Sequence, residues 1–294
     1  MRAAAVTAQQ ADLDRPLDAG TTLLDRFVLG EHLGRGGFCD VYAARDRKLD
    51  ESIAVQIPRR TRRLDATSTA RFRRGVRLGR RVTHPNVVRI HDVFRHACSA
   101  DESTRWQRDE VMFTTMARLD GPSLRHALST RGPFAPDAVH AIARSLADAL
   151  DAVHRQGIVH RDVHPGNVLM VPDGRGGRRA VLIDFGLACA IDADAAAEPV
   201  ITEARQLIGT PAYLAPEQIC GDPCDARTDQ YAWALLLYEL LTGTLPFTGD
   251  TPTQLALQRL HQPAAPIDPA IAQDLPASWA PTIQRCLSHR SSLR

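Results

Sequence analysis

The stretch that decides the fold reads His160-Arg161-Asp162-Val163-His164-Pro165-Gly166-Asn167, and Asp184-Phe185-Gly186 follows it after a short apolar run. Two carboxylates and an amide at this spacing suit phosphoryl transfer. One carboxylate would orient an attacking hydroxyl, while the other and the amide would hold Mg²⁺ on the phosphates. Any one of these acids alone is as compatible with a helix cap or a surface charge.

Two further motifs flank this stretch. Downstream the chain reads Gly209-Thr210-Pro211-Ala212-Tyr213-Leu214-Ala215-Pro216-Glu217, and upstream, between two predicted strands, it reads Gly34-Arg35-Gly36-Gly37-Phe38-Cys39-Asp40-Val41. Glycines let a backbone approach phosphates closely, while its amides bind them. Alone, such a turn is as typical of a tight hairpin, and a Rossmann motif is excluded because no helix follows. The order and spacing of the three motifs together make coincidence negligible.

Composition excludes several classes of protein. The chain of 294 residues has no apolar run near the ~18–20 residues that a membrane span needs, and its N-terminus is too short and too weakly apolar for a signal peptide. The net charge of +2 gives no indication of nucleic-acid or anionic-membrane binding. The six cysteines are scattered without a C-x-x-C pair, which favours a reducing, cytoplasmic compartment.

Hydrophobic periodicity divides the chain near residue 117. Before it lie one candidate helix, Thr67–Val82, and β-like runs at Phe27–Leu33, Val41–Ala44, Ile53–Ile57, Val87–Val93 and Val111–Met116. After it, apolar spacing predicts helices over Pro136–Gln156 and Gln230–Thr242, the second of them fully buried. Ile158–Val159 is expected to pair with Val168–Met170, residues 262–281 to be irregular, and residues 1–24 to form a disordered tail.

From about Phe27 to Arg294 the chain resembles the catalytic domain of bacterial protein kinases of the eukaryotic, or Hanks, type. The matching set also includes His84-Pro85-Asn86-Val87-Val88, Asp229 in an apolar helix, and Arg285-Cys286-Leu287. Pro165 and the Gly209–Tyr213 segment are closer to the serine/threonine branch than to the tyrosine branch. Small-molecule kinases of the same fold are less favoured, because they usually lack the Arg after His and the Ala-Pro-Glu segment.

The resemblance implies an α+β, bilobal fold with a small β-rich N-lobe carrying one helix and a larger helical C-lobe. The kinase domain would span residues 25–294, with the N-lobe at about 25–116, the hinge at 117–121 and the C-lobe at 122–294. Arg294 would pair with Glu217, and the family's last helix would be missing after it.

The resemblance also implies ATP and Mg²⁺ as cofactors and a protein substrate or signalling partner. Asp162 would be the catalytic aspartate, with His164 and Asn167 beside it, and Asn167 and Asp184 would bind Mg²⁺. ATP would contact Leu33, Gly34, Gly36, Val41, Ala54, Gln56, the gatekeeper Met116, the hinge residues Ala117 and Leu119, and Leu169. Arg161, Thr202 and Thr210 would be regulatory, since Arg161 would pair with a phosphorylated activation loop and Thr202 is the best acceptor in it.

The chain departs from the family at the residues that hold ATP phosphates. Gln56 stands where the family has a lysine, and Gly75 stands where the family has the glutamate that pairs with it. Losing both is self-consistent, because a lone buried glutamate without its lysine would be costly to keep. Arg45 and Arg59 are candidates for a replacement cation, although neither position has a strong argument.

Two function classes therefore stay open. In the first, the chain is a slow serine/threonine kinase that depends on Mg²⁺ and on His164, which replaces the lysine of the family's catalytic loop. In the second, it is a pseudokinase that binds a nucleotide or a partner and signals by shape. The presence of Asp162, Asn167 and Asp184 favours the enzyme.

Overall fold

The structure is a computed structural model that describes residues 16–36, 38–59, 66–99, 110–186, 188–190, 211–249 and 251–294. The chain divides into two units. Unit 1 comprises Met1–Arg80 and Arg89–Leu119, and unit 2 comprises Arg81–Val88 and Asp120–Arg294. The mixture of a sheet-rich first unit with a helical second unit is the predicted α+β class.

Unit 1 is built on one antiparallel sheet with the strand order β1-β2-β3-β4-β6-β5. The sheet and the helix that packs on β5 comprise β1 Thr22–Leu23, β2 Phe27–Arg35, β3 Cys39–Asp46, β4 Glu51–Pro58, α1 Ala66–Gly79, β5 Ile90–Ala97 and β6 Glu110–Ala117. Four of the five predicted strands are confirmed with longer ends. The fifth, Val87–Val93, is displaced: Val88 N–H donates to Leu182 O (2.9 Å) in unit 2, and β5 begins only at Ile90.

One face of this sheet buries an apolar cluster whose members alternate along the strands, as pleated strands require. Phe27, Phe94 and Phe113 stack within it, with ring centroids 5.0–5.5 Å apart. The predicted tail is wrong for residues 16–24, because Leu17 and Leu23 are buried in this cluster and Leu17 N–H donates to the Tyr42 hydroxyl (2.9 Å). Residues 1–15 lie outside the described part of the chain.

Unit 2 contains two small antiparallel strand pairs. β8 Val168–Pro172 pairs with β9 Arg178–Leu182, and β7 Ile158–Val159 pairs with β10 Cys189–Ala190. The predicted pairing of Ile158–Val159 with Val168–Met170 is therefore wrong. β8 instead folds back through a polar turn, in which the Asp173 carboxylate accepts the N–H groups of Arg175 (2.8 Å) and Gly177 (2.9 Å).

The described part of unit 2 contains seven α-helices: α2 Leu124–Arg131, α3 Pro136–His154, α4 Pro216–Cys220, α5 Ala226–Thr242, α6 Pro252–His261, α7 Pro269–Ala272 and α8 Trp279–Cys286. Both predicted helices are confirmed as α3 and α5. α5 is buried on nearly all sides, as expected, and packs against α3 and α8. Residues 262–281 are less irregular than predicted, because α7 and the start of α8 lie there. No helix among the described residues is long and apolar enough to cross a membrane.

Candidate active site

The loop that carries Asp162 is held by a carboxylate from the first turn of α5. Asp229 has no exposed surface. Its carboxylate accepts hydrogen bonds from the backbone N–H groups of His160 (2.8 Å) and Arg161 (2.8 Å) and from His154 Nε2 (2.7 Å). A buried carboxylate is stable only when such donors surround it. The apolar helix therefore fixes the backbone immediately before Asp162.

Two residues of the motifs adopt backbone conformations that side chains normally avoid. Arg161 has φ +68° and Asp184 has φ +66°, both in the left-handed region. Such strain costs about 1–3 kcal/mol per residue and persists where the surroundings impose it. At Arg161 the surroundings are Asp229 on its N–H and the Gln218 amide, which donates to its carbonyl (3.0 Å). At Asp184 the side chain accepts the N–H of Gly186 (2.9 Å).

Asp162, Asn167 and His164 come together as predicted from the sequence. Asn167 Nδ2 donates to Asp162 Oδ2 (3.0 Å) and to Asp162 O (2.9 Å), and His164 Nε2 lies 3.7 Å from Asp162 Oδ2. His164 Nδ1 accepts the N–H of Gly166 (3.0 Å), so in a neutral His164 the proton is on Nε2, the atom nearest Asp162. A side chain at residue 166 would collide with the imidazole, which explains the glycine.

Electrostatics keep Asp162 ionised. Its side chain is only 17% exposed, and burial alone would raise the pKa of this carboxyl. The His164 imidazole and the Asn167 amide outweigh burial and hold the pKa of Asp162 below its usual range. Asp162 is therefore a hydrogen-bond acceptor at neutral pH.

His160 serves packing. Burial lowers its pKa, against the opposing charges of Asp229, Asp162 and Asp184, so the imidazole is neutral. Neither ring nitrogen has a hydrogen-bond partner among the described residues, and the ring meets Phe185 edge-on at 5.0 Å between centroids. The contact joins the loop before Asp162 to the tripeptide that begins with Asp184.

Leu169, a predicted ATP contact, lies on β8 where the chain segment 121–123 crosses it. Leu169 forms a β-bridge with Ser123, and Met170 N–H donates to Pro122 O (2.9 Å). A Cβ at Gly121 would collide with the Met170 carbonyl, so only glycine permits this approach.

The predicted ATP residues of unit 1 lie on two rungs of its sheet. Gly34 is opposite Val41, and Val41 is opposite Gln56. Ala54 is opposite Met116, which is 8% exposed, and Ala117 follows at the end of β6. Residues opposite each other point to the same face of a sheet. In the glycine-rich turn, Gly36 N–H donates to Cys39 O (2.8 Å), so this amide closes the hairpin.

Leu33 and Leu119 complete the unit 1 set. Leu33 lies on β2 and is 42% exposed, and Leu119 follows β6 and is partly buried.

Gln56 and Gly75 leave unit 1 without the cation–anion pair of the family. Gly75 is buried in α1, and the helix is formed in spite of its glycines. Arg45 is a poor replacement cation: it forms an ion pair with Asp50 in the β3–β4 turn and lies about 13 Å along the strand from the Val41–Gln56 rung. Arg59 lies beyond the end of β4, with its N–H bonded to Phe38 O (2.9 Å).

Sequence reasoning missed a polar trio in which the exposed Arg125 contacts the buried Tyr213 and Glu239. Arg125 Nη1 donates to Glu239 Oε1 (2.7 Å), and the Tyr213 hydroxyl bonds both Glu239 and Arg125. Burial and the Glu239 charge raise the pKa of Tyr213, so its hydroxyl stays protonated. The signal that could have revealed it is Glu239 itself, an acid inside an otherwise apolar helix.

The predicted pair of Glu217 with Arg294 is confirmed. Arg294 donates from Nη1 (2.6 Å) and Nη2 (2.9 Å) to the two carboxylate oxygens of Glu217, and its guanidinium lies 4.8 Å from the Tyr231 ring centroid. Thr228 Oγ1 also donates to Glu217 (2.8 Å). The pair fastens the chain end to α4 and α5.

The regulatory residues are only partly placed. Arg161 lies in the loop described above. Its positive charge acts on the Cys224 thiol: burial raises the pKa of this thiol to about 11, and the Arg161 charge opposes that rise. Thr202 and Thr210 lie outside the described residues.

Two comparisons with known proteins bear on this arrangement. The family model described as Protein kinase domain matches residues 27–294. The probable serine/threonine-protein kinase PknB of Bifidobacterium longum (strain NCC 2705) is 34% identical over 254 residues, which are 86% of this chain and 35% of that protein. The serine/threonine-protein kinases PknB of Mycobacterium leprae (strain TN) and Mycobacterium tuberculosis (strain ATCC 25177 / H37Ra) are each 36% identical over 244 residues, which are 83% of this chain and 37% of those proteins.

The chain thus spans about a third of the length of these relatives. With the family match extending from residue 27 to residue 294 and the motif residues assembled as described, the chain belongs to the protein kinase domain family.

Proposed function

We propose that the chain transfers the γ-phosphate of ATP, with Mg²⁺, to serine and threonine hydroxyls of proteins. The observation that carries the proposal is the Asp162–Asn167 pair, in which the Asn167 amide nitrogen donates one hydrogen bond to the ionised Asp162 carboxylate and one to the Asp162 backbone carbonyl. In phosphoryl transfer the enzyme mainly positions groups and stabilises charge. A fixed acceptor at Asp162 would orient the substrate hydroxyl and take its proton.

Asn167 and Asp184 are the proposed Mg²⁺ ligands. The side-chain nitrogen of Asn167 donates to Asp162, so the side-chain oxygen of Asn167 is the proposed ligand atom. Asp184 supplies carboxylate oxygen, so both donors are the hard oxygen ligands that Mg²⁺ prefers. The described residues contain no group of three or more His, Cys, Asp and Glu suited to a metal. A site of few protein ligands is typical of Mg²⁺ that is held together with substrate phosphates, where the ion neutralises developing charge.

The ATP contacts are proposed for each unit by itself. In unit 1 we assign the adenine to Leu33, Val41, Ala54, Met116, Ala117 and Leu119, and the phosphates to the turn at Gly34 and Gly36. Leu33 is an exposed apolar side chain that a base would cover. In unit 2, we assign Leu169 on β8 to the adenine, as the family resemblance implies.

The activity is expected to be slow. Gln56 carries no charge to place on the phosphates, and Arg45 is engaged by Asp50. His164 is the remaining candidate: when neutral it carries its proton on Nε2, which lies 3.7 Å from Asp162 Oδ2, and from there it would donate to a phosphate. One lost charge-stabilising contact in a site of this kind costs about 10²–10³ in kcat.

A pseudokinase is the alternative, and the joint loss at Gln56 and Gly75 favours it. In that case the chain binds nucleotide or a protein partner without transferring phosphate. Protein substrates or partners fit either function. A cytoplasmic location is also proposed, and it is supported by the scattering of the six cysteines along the sequence without a C-x-x-C pair.

Mass spectrometry after incubation with ATP and Mg²⁺ tests the proposal. We expect phosphate on serine or threonine residues of the chain or of an added peptide library, and none with Asp162→Ala. Phosphate that persists in Asp162→Ala would come from a contaminating kinase. Stabilisation by ATP and Mg²⁺ without any transfer would replace the proposed enzyme with the pseudokinase.

A further inference from the structure

Arg259 on α6 is a cation buried without a carboxylate partner. Only 1% of the residue is exposed, and no Asp or Glu among the described residues lies within ion-pair distance. Its guanidinium donates instead to main-chain oxygens, from Nη1 to Pro211 O (2.6 Å) and Leu214 O (3.3 Å), and from Nη2 to Ala212 O (2.7 Å). Its Nε has no partner in the described part of the chain.

This arrangement is poorly suited to stability alone. Burying an ion is costly unless its hydrogen bonds are complete, and an apolar side chain of similar volume often does as well or better. Burial also lowers the pKa of Arg259, which shows that the site disfavours its charge. Three backbone carbonyls nevertheless accept hydrogen bonds from the planar guanidinium of Arg259. An apolar side chain has no donors and could not fix the backbone in this geometry.

The backbone segment 211–214 that Arg259 binds includes Tyr213, whose side chain lies beside His164, the neighbour of the proposed catalytic Asp162. Residues 211–213 form a 3-10 turn, and the Tyr213 ring lies 5.7 Å from the His164 ring, centroid to centroid. His164 is in turn the neighbour of Asp162. The Tyr213 hydroxyl is fixed from its other end by Arg125 and Glu239.

A second connection runs from the same segment to the catalytic loop. Ala215 N–H donates to Gln218 Oε1 (3.0 Å), and Gln218 Nε2 donates to Arg161 O (3.0 Å). A shift of the 211–215 backbone would therefore reach the residues on both sides of Asp162.

We infer that Arg259 is a positioning residue for the protein substrate: from α6 it fixes the main chain of residues 211–214, so that the surface beside Asp162 presents one geometry to the acceptor segment. The inference rests on the proposed function for its kinetic part. The substrate hydroxyl must approach Asp162 within hydrogen-bond distance. A more mobile backbone at residues 211–214 would therefore lower the affinity for the protein substrate, while the affinity for ATP stays unchanged.

Arg259→Met and Arg259→Lys test the inference, with Arg144→Met, an exposed arginine on α3, as the matched control. Hydrogen–deuterium exchange of the full chain reports the segment directly and needs no activity. Arg259→Met should speed exchange in peptides covering residues 211–219, with an unchanged melting temperature. Arg144→Met should leave these peptides as in the wild type.

Kinetics supply the second readout, with one serine/threonine peptide that the wild type selects from a degenerate library. Arg259→Met should raise KM for this peptide by about tenfold, leave KM for ATP unchanged, and be partly rescued by Arg259→Lys, whose ammonium reaches fewer carbonyls. Unchanged exchange at 211–219 would overturn the inference. So would a uniform loss of melting temperature and of all kinetic constants in both variants, since that marks a structural role only. A wild type without activity would defeat the proposed function, while the exchange result would still decide the role of Arg259.

Discussion

Asp229→Asn replaces the buried carboxylate under the loop that carries Asp162 with an amide of nearly the same size. Asp229 Oδ2 accepts two donors, from His160 and His154, and Oδ1 accepts one, from Arg161. An asparagine has a single oxygen, so its NH₂ group must face at least one N–H group. In the less costly orientation of the asparagine side chain, the hydrogen bond from Arg161 N–H is lost. The hydrogen bonds from His160 and His154 remain, but their acceptor is then a neutral amide oxygen instead of a charged carboxylate.

The magnitude follows from these bonds. A hydrogen bond to a charged group contributes about 1.5–3 kcal/mol, and a buried donor left unpaired adds its desolvation cost. We expect Asp229→Asn to lower the free energy of unfolding by about 2–4 kcal/mol, a large part of the ~5–15 kcal/mol that domains possess. Because Arg161 then loses the contact that sustains its φ of +68°, the loop should also exchange its amide protons faster.

Urea unfolding measures the free energy, and hydrogen–deuterium exchange of peptides covering residues 158–163 reports the loop. Asp225→Asn is the matched control, because Asp225 caps α5 by accepting Arg227 N–H (2.8 Å) and asparagine caps equally well. It should cost under about 0.5 kcal/mol. A loss below about 1 kcal/mol in Asp229→Asn, with unchanged exchange in the loop, would refute this reasoning.

Three further predictions follow from the same contacts. Gln56→Lys with Gly75→Glu should raise activity more than either change alone, because charged neighbours couple by ~0.5–3 kcal/mol. Gly75→Ala is the control for helix propensity. A double variant that is no more active than Gly75→Ala would show that the missing pair does not limit the activity. Asp184→Asn should reduce the rise in melting temperature caused by ATP with Mg²⁺, and an equal rise in both proteins would count against Asp184 as a ligand. Asp46, bound by Arg26 (2.6 and 2.8 Å), has a lowered pKa, so its contribution to stability is present above about pH 4 and lost as the pH falls through the folded-state pKa. Urea unfolding of Asp46→Asn should therefore show a deficit at pH 7 that shrinks at pH 3, and a deficit independent of pH would contradict this.

The sequence predicted the elements whose signal is local. α3 follows from apolar residues at three- and four-residue steps and α5 from an almost wholly apolar run, and both lie within a few residues of the expected bounds. The assembly of Asp162, His164 and Asn167 was predictable for the same reason, since all three belong to one short loop.

The errors arise where distant parts of the chain decide. Ile158–Val159 pairs with β10 because a polar turn gives β8 a partner of its own, and no pattern within either strand announces this. Leu17 and Leu23 stand in a polar stretch, and they are ordered only because an apolar cluster on the sheet receives them. The contacts of Arg259 span 45–48 residues, a distance over which side-chain hydrogen bonds leave no local signal.

The central claim is that a carboxylate–amide set transfers phosphate without the family's lysine–glutamate pair. The most direct test is the single-turnover rate of γ-phosphate transfer from radiolabelled ATP to serine or threonine, measured with the purified chain against Mg²⁺ concentration. The account predicts a slow rate that requires Mg²⁺ and vanishes in Asp162→Asn, although that variant melts at the wild-type temperature. Transfer that is absent from the wild type at saturating ATP and Mg²⁺, or that persists in Asp162→Asn, would contradict it.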